Sequence, residues 1–167
     1  MSVSTIPALR TALLARLAAE TWPTATPQIL RSHPYPVLAE NEMIYLAGTQ
    51  NSDPIGSLFG GGQRPAAIGQ RKQEERYVQT VIVSVIGNAM ADVAVQEARA
   101  FQLAGVIETS VRNWATTSPS AYDGVVRWCF VSGLRLDSAH LVAAEGGQSP
   151  SSREILITID LACTARI

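Results

Sequence analysis

The chain has 167 residues, 47% of them hydrophobic and 16% charged, and a formal net charge of -1 at pH 7. This length suits one domain with a substantial buried core, and the composition excludes a disordered chain. The near-zero charge argues against a protein that binds nucleic acid by neutralising its phosphates, and no segment approaches the roughly 20 apolar residues of a membrane span.

The N-terminal segment is predicted to form an amphipathic helix. Apolar residues recur at steps of three and four through residues 6–17, a spacing typical of an α-helix. Ser4 or Thr5 is a candidate N-cap. Arg10 and Arg16 interrupt the apolar stretch at helical spacing, which is not the pattern of a secretory signal.

Weak strand signals and a long loop follow. Prolines make residues 23–36 extended and irregular, with a short strand at 28–31. Glu-Met-Ile-Tyr-Leu-Ala at 42–47 is a better strand signal. Six glycines and two prolines in residues 48–70 predict a long loop, which we expect to protrude.

The strongest strand signal covers residues 75–86. Val81, Val83 and Val85 face one way, and the even-numbered residues from 78 to 86 face the other. Both sets are largely apolar, so we expect this strand to lie at the centre of a sheet.

A helix is predicted over residues 91–114, with Asn88 or Asp92 as its cap. Small residues in its apolar stripe let the helix sit close to a sheet, and Gln96 is one of five residues assigned to polar positions. The stripe consists of Val93, Ala100, Ala104, Ile107, Val111 and Trp114.

Two strands complete the chain. Residues 125–136 predict a strand that bends or bulges near Gly133, and residues 140–144 are able to extend it. Residues 146–152 predict a polar hairpin connection. The last strand, 154–167, alternates apolar residues with mainly polar ones.

This order of elements predicts one α+β domain over residues 1–167, without an internal repeat or a domain boundary. The expected architecture is an antiparallel sheet of about four strands with two helices packed on one face and a long glycine-rich loop.

Motifs for catalysis or cofactor binding do not emerge from the sequence. Gly-Gly-Gly-Gln-Arg at 60–64 lacks the GxxxxGK[ST] pattern of a phosphate-binding loop, so a loop tip is predicted. His33 and His140 are the only histidines, and neither has a second ligand at metal-binding spacing. We therefore predict no cofactor and no metal site.

Three carboxylates are candidates for a catalytic acid or base. Glu74 and Glu75 stand at the start of the central strand, and Asp160 lies on the polar side of the last strand. No GxSxG or SxxK motif accompanies them. A solvated strand start and a polar strand face are the simpler interpretations, so we predict no catalytic residues.

The two cysteines, Cys129 and Cys163, fall in separate predicted strands without CxxC or Cys/His ligand spacing. Their chemistry fits two small buried apolar side chains. A cross-strand disulfide and a reactive thiol are the alternatives. So few cysteines are typical of a protein folded or assembled in a cytosol.

Positive charge concentrates around the long loop, at Arg64, Arg71, Lys72 and Arg76. These are the candidate interaction residues, although the adjacent Glu74 and Glu75 partly cancel their charge. A solvated strand entrance, a contact with an acidic neighbouring subunit and a nucleic-acid contact are all consistent with them. The last is disfavoured because few aromatic residues for base stacking lie nearby.

Six segments of the chain occur in a recognisable order. They are Thr21-Trp22-Pro23 closing the first helix, Glu-Met-Ile-Tyr-Leu at 42–46, the glycine-rich loop, Glu-Arg-Tyr-Val at 75–78, the helix with Ala-Arg-Ala at 98–100 that closes at Val-Arg-Asn-Trp (111–114), and the final strand 153–166. In this order the chain resembles the tail terminator proteins of long-tailed bacteriophages. The resemblance covers most of the chain.

The resemblance implies a sheet with helices against it and a homo-oligomeric ring, usually a hexamer. Such a ring caps the finished tail tube and ends polymerisation of the tail tube protein. It also joins the tube to the head-side connector or stopper protein. DNA passes through the lumen without specific binding, and no membrane is involved. The implied location is the virion tail at the head–tail junction, with host cytoplasm during assembly, and the role needs interfaces rather than an enzyme's catalytic centre.

Two other function classes compete with this interpretation. A tail tube or head-completion subunit would share the structural role, but a tube subunit polymerises openly whereas a terminator ring closes. A small enzyme or ligand-binding α+β domain would need a pocket with converging polar groups, and the sequence offers no such set.

Overall fold

The computed structural model describes residues 5–32, 41–46, 48–50, 53–55, 64–65, 73–88, 93–117, 121–142 and 152–166. Two α-helices, eight strands and one 3₁₀ turn lie in these ranges. In chain order they are α1 (Ile6–Ala18), β1 (Gln28–Leu30), β2 (Glu42–Leu46), β3 (Gly48–Gln50), β4 (Asp53–Ile55), β5 (Arg64–Pro65), β6 (Gln73–Asn88), α2 (Val93–Thr117), the 3₁₀ turn (Ala121–Gly124), β7 (Trp128–Val142) and β8 (Ser152–Arg166).

The main sheet has six strands, in the order β1-β2-β6-β8-β7, with the two-residue β5 also paired to β6. The predicted α+β class is confirmed. The sheet is larger than the expected four strands and is mixed, because β1 runs parallel to β2 while the other pairs are antiparallel. Strand β1 lies where the short strand at residues 28–31 is predicted, and the added strand β5 holds two residues, too few for a periodic sequence signal.

Strands β6 and β8 form the centre of this sheet. They pair from Glu74 opposite Arg166 to Asn88 opposite Ser152 without a register shift. Val81, Val83 and Val85 point to the side that carries the main core, and Ile82 points to the other side, where it packs in a separate cluster. The central position and the alternation predicted for this strand are therefore confirmed.

Both helices pack on one side of the sheet, here called the helix face. Helix α1 contributes Leu9, Leu13 and Leu17, each with no exposed surface. Helix α2 buries its predicted stripe from Ala100 onward, together with residues outside it. The buried residues of α2 are Gln96, Ala100, Leu103, Ala104, Ile107, Ser110, Val111 and Trp114.

Polar side chains join the two helices. The Arg16 Nε donates to the Ser110 carbonyl and hydroxyl oxygens, each at 3.0 Å. The same guanidinium lies 5.8 Å from the centre of the Trp114 ring, close enough for a cation–π interaction. The Trp114 indole in turn donates to Asp123 Oδ2 at 2.9 Å, which ties the 3₁₀ turn to α2.

The predicted loop at 48–70 contains more structure than expected. Strands β3 and β4 form a two-stranded antiparallel hairpin, and β5 pairs with the start of β6. The rest of that segment, His33, and residues 146–151 of the predicted hairpin connection lie outside the described residues. No helix in the described ranges is long and apolar enough to cross a membrane.

Candidate assembly interface

Strand β7 is the last strand of the main sheet. One of its edges pairs with β8, and among the described residues no strand pairs with the other. Two register shifts interrupt the pairing, between Val131 and Gly133 and between Asp137 and His140, so the predicted bulge near Gly133 is confirmed. A 15-residue edge strand is a ready template for pairing with another chain unless something covers it.

Large apolar side chains are exposed along β7. Trp128 and Phe130 are 42% and 47% exposed, and Leu134 and Leu136 are 44% and 40% exposed. The two aromatic rings stack at 5.5 Å between centroids, with 9° between their planes. We call these four residues the β7 patch. Exposed apolar surface of this kind marks a site of protein contact more often than chance.

The bulge places the β7 patch on both sides of the sheet. Phe130 is opposite Ala162, on the side away from the helices, whereas Leu134 is opposite Ile159, on the helix face. Without the extra residue, Ser132, the even-numbered side chains would all share one side. The edge strand therefore exposes apolar side chains on both sides of the sheet, Trp128 and Phe130 on one side and Leu134 and Leu136 on the other.

The candidate Arg76 lies next to this patch. On the side away from the helices, Arg76 of β6, Thr164 of β8 and Trp128 of β7 form one row across three strands. Neighbouring strands are about 4.8 Å apart, so Arg76 and Trp128 are roughly 10 Å apart at the backbone. Arg76 is exposed, and this arrangement joins one predicted interaction residue to the patch.

The other three basic candidates are not brought together by the described structure. Arg64 belongs to β5 and is the register partner of Glu74. Arg71 and Lys72 lie outside the described residues. Their assignment as interaction residues stays a prediction.

A second apolar surface lies on the outer side of α2. Val95 and Phe101 are 66% and 43% exposed, and Ala94, Ala98 and Gly105 are also exposed. A Cβ added at Gly105 would meet no atom within 4 Å. We call these five residues the α2 patch. Gln102 is exposed beside these residues, and Arg99 and Glu42 line the same surface as Ala94, Val95 and Ala98.

Two of the three carboxylate candidates, Glu75 and Asp160, accept hydrogen bonds from neighbouring groups. Glu75 is buried, and its Oε2 accepts hydrogen bonds from the Thr5 backbone N–H and hydroxyl, each at 2.8 Å. Asp160 accepts a 2.9 Å bond from the Thr80 hydroxyl. Thr5 thus fixes the start of α1 to β6 and does not cap the helix with its side chain. Burial also raises the pKa of Tyr77, whose hydroxyl lies 3.2 Å from that of Thr5.

Metal ligands do not cluster in the described part of the chain: it holds no group of three or more His, Cys, Asp or Glu residues arranged for an ion. His140 lies in β7 opposite Glu154. The two cysteines are adjacent, with free thiols that are both buried.

Trp128 and Phe130 were not among the candidate interaction residues predicted from the sequence. Their signal was present as two aromatic residues at alternate positions of one strand, the spacing that puts both on the same side. What the pattern lacks is strand order, and only the position of β7 at the edge leaves that side exposed.

Comparison with known proteins finds structural likeness but no sequence relative. No family profile matches the chain, and no curated protein matches it. A solved chain described as "Virion of native gene transfer agent (GTA) particle" is similar at 16% sequence identity and a TM-score of 0.48, over 98% of this chain and 100% of that one. At this level the likeness assigns neither a family nor a function.

Proposed function

We propose that the chain is a structural subunit of a phage-like virion and, more finely, a tail terminator whose copies close into a ring. The observation that carries the proposal is the β7 patch: an unpaired strand edge, within the described residues, that exposes apolar side chains on both sides. The segment order of the tail terminator resemblance supports the finer assignment.

Two different apolar surfaces on one subunit favour a head-to-tail contact. The β7 patch and the α2 patch have different shapes and lie on different elements. A contact that joins two unlike surfaces repeats from copy to copy and gives a closed ring or an open filament. A terminator requires the closed form, since a ring that closes leaves no site for further growth.

In the proposed role the ring caps the tail tube and meets the head-side connector or stopper protein. The copy number of six, the position at the head–tail junction and the assembly in host cytoplasm all follow from the resemblance. DNA passes the lumen without specific binding, as suits a net charge of -1. We propose no catalysis and no cofactor, because Glu75 and Asp160 serve as hydrogen-bond acceptors within the fold.

Phe130→Asp tests the proposal directly. The variant places a charge in the β7 patch, and because Phe130 is 47% exposed we expect its free energy of unfolding to change by less than about 1 kcal/mol. Thr11→Asp is the matched control, since it adds the same charge at an exposed position of α1.

Oligomer mass in solution and electron microscopy with isolated tail tubes supply the readout. The parent chain and Thr11→Asp are expected to form rings, alone or on tube ends, and to halt tube growth. Phe130→Asp is expected to stay monomeric and to leave tubes growing. Normal rings from a folded Phe130→Asp chain would refute the proposed surface.

The tail tube or head-completion subunit is the competing assignment, and the same two surfaces suit it. Endless filaments formed by the purified parent chain would favour the tube subunit over the terminator. A monomer that binds a small metabolite, and never assembles in the presence of tubes, would instead favour the ligand-binding class.

A further inference from the structure

The two buried cysteines are direct partners across the sheet. Cys129 of β7 is opposite Cys163 of β8, and their sulfur atoms are 3.2 Å apart, with the Cys163 thiol donating to Cys129. Opposed residues of antiparallel strands have Cα atoms about 4.5–5.5 Å apart, which lies inside the range that a disulfide accepts. The backbone therefore already has the spacing of a cross-strand disulfide.

One of the two thiols borders a surface cavity. A cavity of about 230 Å³ beside the second half of α2 is lined by Cys129, whereas Cys163 is not part of its wall. Its rim holds the ion-paired Glu108 and Arg112 side chains, which are 42% and 74% exposed. Cys129 is therefore the thiol next to the cavity, although both residues are buried, Cys129 being 2% exposed and Cys163 3%. The lining residues are Glu108, Val111, Arg112, Tyr122, Cys129, Phe130 and Val131.

The surroundings also set the rate of any reaction. The hydrogen bond to Cys129, together with burial, raises the pKa of the Cys163 thiol. Because the thiolate is the reactive form, Cys163 is expected to react slowly.

We propose that Cys129 and Cys163 are a reversible modification site, a dithiol that closes to a cross-strand disulfide when the chain meets a low-molecular-weight disulfide such as oxidised glutathione. The Cys129 thiolate attacks the small disulfide, forms a mixed disulfide and releases one small thiol. The Cys163 sulfur then attacks the Cys129 sulfur and displaces the second small thiol. Two electrons and two protons pass from the protein to the reagent, so the protein loses two hydrogen atoms.

The consequence of closure is mechanical. The bond would tie the edge strand β7 to the central strand β8 next to Trp128 and Phe130, and so fix the strand that carries the β7 patch. The inference stands on the thiol geometry alone and does not depend on the proposed virion role.

Oxidation of the full-length folded chain tests the site. The reduced chain is incubated with oxidised glutathione, unfolded under acid, and treated with an alkylating reagent. Mass spectrometry is expected to find two alkylated cysteines before oxidation and none after, with a cross-linked peptide that contains both. Closing a loop of this length is expected to raise the midpoint of thermal unfolding by roughly 5–15 °C.

Single serine variants separate the two thiols. Cys163→Ser is expected to accumulate more glutathione adduct on Cys129 than Cys129→Ser accumulates on Cys163, because only Cys129 lines the cavity. If both thiols of the folded parent stay alkylatable while the unfolded chain oxidises in the same buffer, the proposal is overturned. An oxidised parent that unfolds at or below the temperature of the reduced form would overturn it too.

Discussion

The two edges of the main sheet are finished in different ways. At one edge lies the short strand β1, and a side chain of α1 bonds to the backbone just after β1 and at the end of β2. Arg10 Nη2 donates to the carbonyl oxygens of Arg31 and Leu46, at 3.0 and 2.9 Å. Burial, with Arg31 nearby, lowers the pKa of Arg10. At the other edge β7 extends for 15 residues and exposes the β7 patch.

The difference indicates which surface is available to a partner. An edge closed by a short strand and by side chains bonded to backbone carbonyls offers few groups for a second chain. An edge with apolar side chains on both sides gains free energy when a partner covers it. On the proposed function, the molecule has a fastened side around β1 and β2 and an assembling side at β7.

The largest expected effect contrasts one buried and one exposed aliphatic side chain on the two sides. Ile44 of β2 has no exposed surface, whereas Leu134 of β7 is 44% exposed. We expect Ile44→Ala to lower the free energy of unfolding by about 2–5 kcal/mol through lost burial and a cavity. Leu134→Ala is expected to cost less than about 1 kcal/mol. Denaturant unfolding measures both.

Oligomer mass completes that comparison. Leu134→Ala is expected to weaken self-association at a concentration where the chain stays fully folded. Equal losses of stability in the two variants would mean that β7 is as much a part of the core as β2, and the distinction between the two sides would fail.

A smaller effect is expected from the ion pair that fastens β2 to α2. Arg99 donates from Nε and Nη2 to the two Glu42 carboxylate oxygens, at 2.7 and 2.6 Å. This hydrogen bonding raises the pKa of Arg99, and the two side chains are only 13% and 25% exposed. Arg99→Met is expected to lower the free energy of unfolding by about 1–3 kcal/mol, since Glu42 is left half-buried without its cation.

An exposed ion pair on the assembling side is the control for that result. Arg135 and Asp137 of β7 lie 3.2 Å apart but are 69% and 38% exposed. Arg135→Met is expected to change the free energy of unfolding by no more than about 0.5 kcal/mol, because solvent screens the pair. A cost for Arg135→Met as large as that for Arg99→Met would contradict the ranking.

Much of this architecture follows from periodicity. The helix and strand that carry continuous apolar patterns, α2 and β6, are where the sequence predicts them, because burial of one face selects both the period and the side. The parallel pairing of β1 with β2 and the two-residue strand β5 depend on a neighbouring strand, so nothing local specifies them. The order of the strands in the sheet also could not be predicted from the apolar periodicity of the sequence.

The candidate site was predicted less well for the same reason. Arg76 is predicted from charge, whereas its place in one row with Trp128, two strands away, follows from the strand order. Cys129 and Cys163 were expected in separate strands, and only the register makes them partners. Interfaces depend on which surfaces remain uncovered, and a single sequence does not encode that locally.

Gln96 of α2 was predicted at a polar, outward position, and the structure buries it. The heptad-like pattern placed it at a polar position of α2, yet it is 7% exposed, because its side chain lies over the backbone of Gly87 in β6. A Cβ built on Gly87 would be 2.2 Å from Gln96 Nε2. The close approach of α2 to the sheet is therefore made by a glycine and a glutamine together.

An effect smaller than that of Ile44→Ala follows from this contact. Gly87→Ala is expected to lower the free energy of unfolding by about 1 kcal/mol, because the Gln96 amide must move from its buried position. In a Gln96→Ala background the same change is expected to be neutral or to stabilise by about 0.5 kcal/mol, since the space is empty and alanine restricts the unfolded chain. The sign change across this double-mutant cycle, read from denaturant midpoints, isolates the contact. If Gly87→Ala costs the same in both backgrounds, the glycine matters for backbone conformation and the proposed close approach of α2 is wrong.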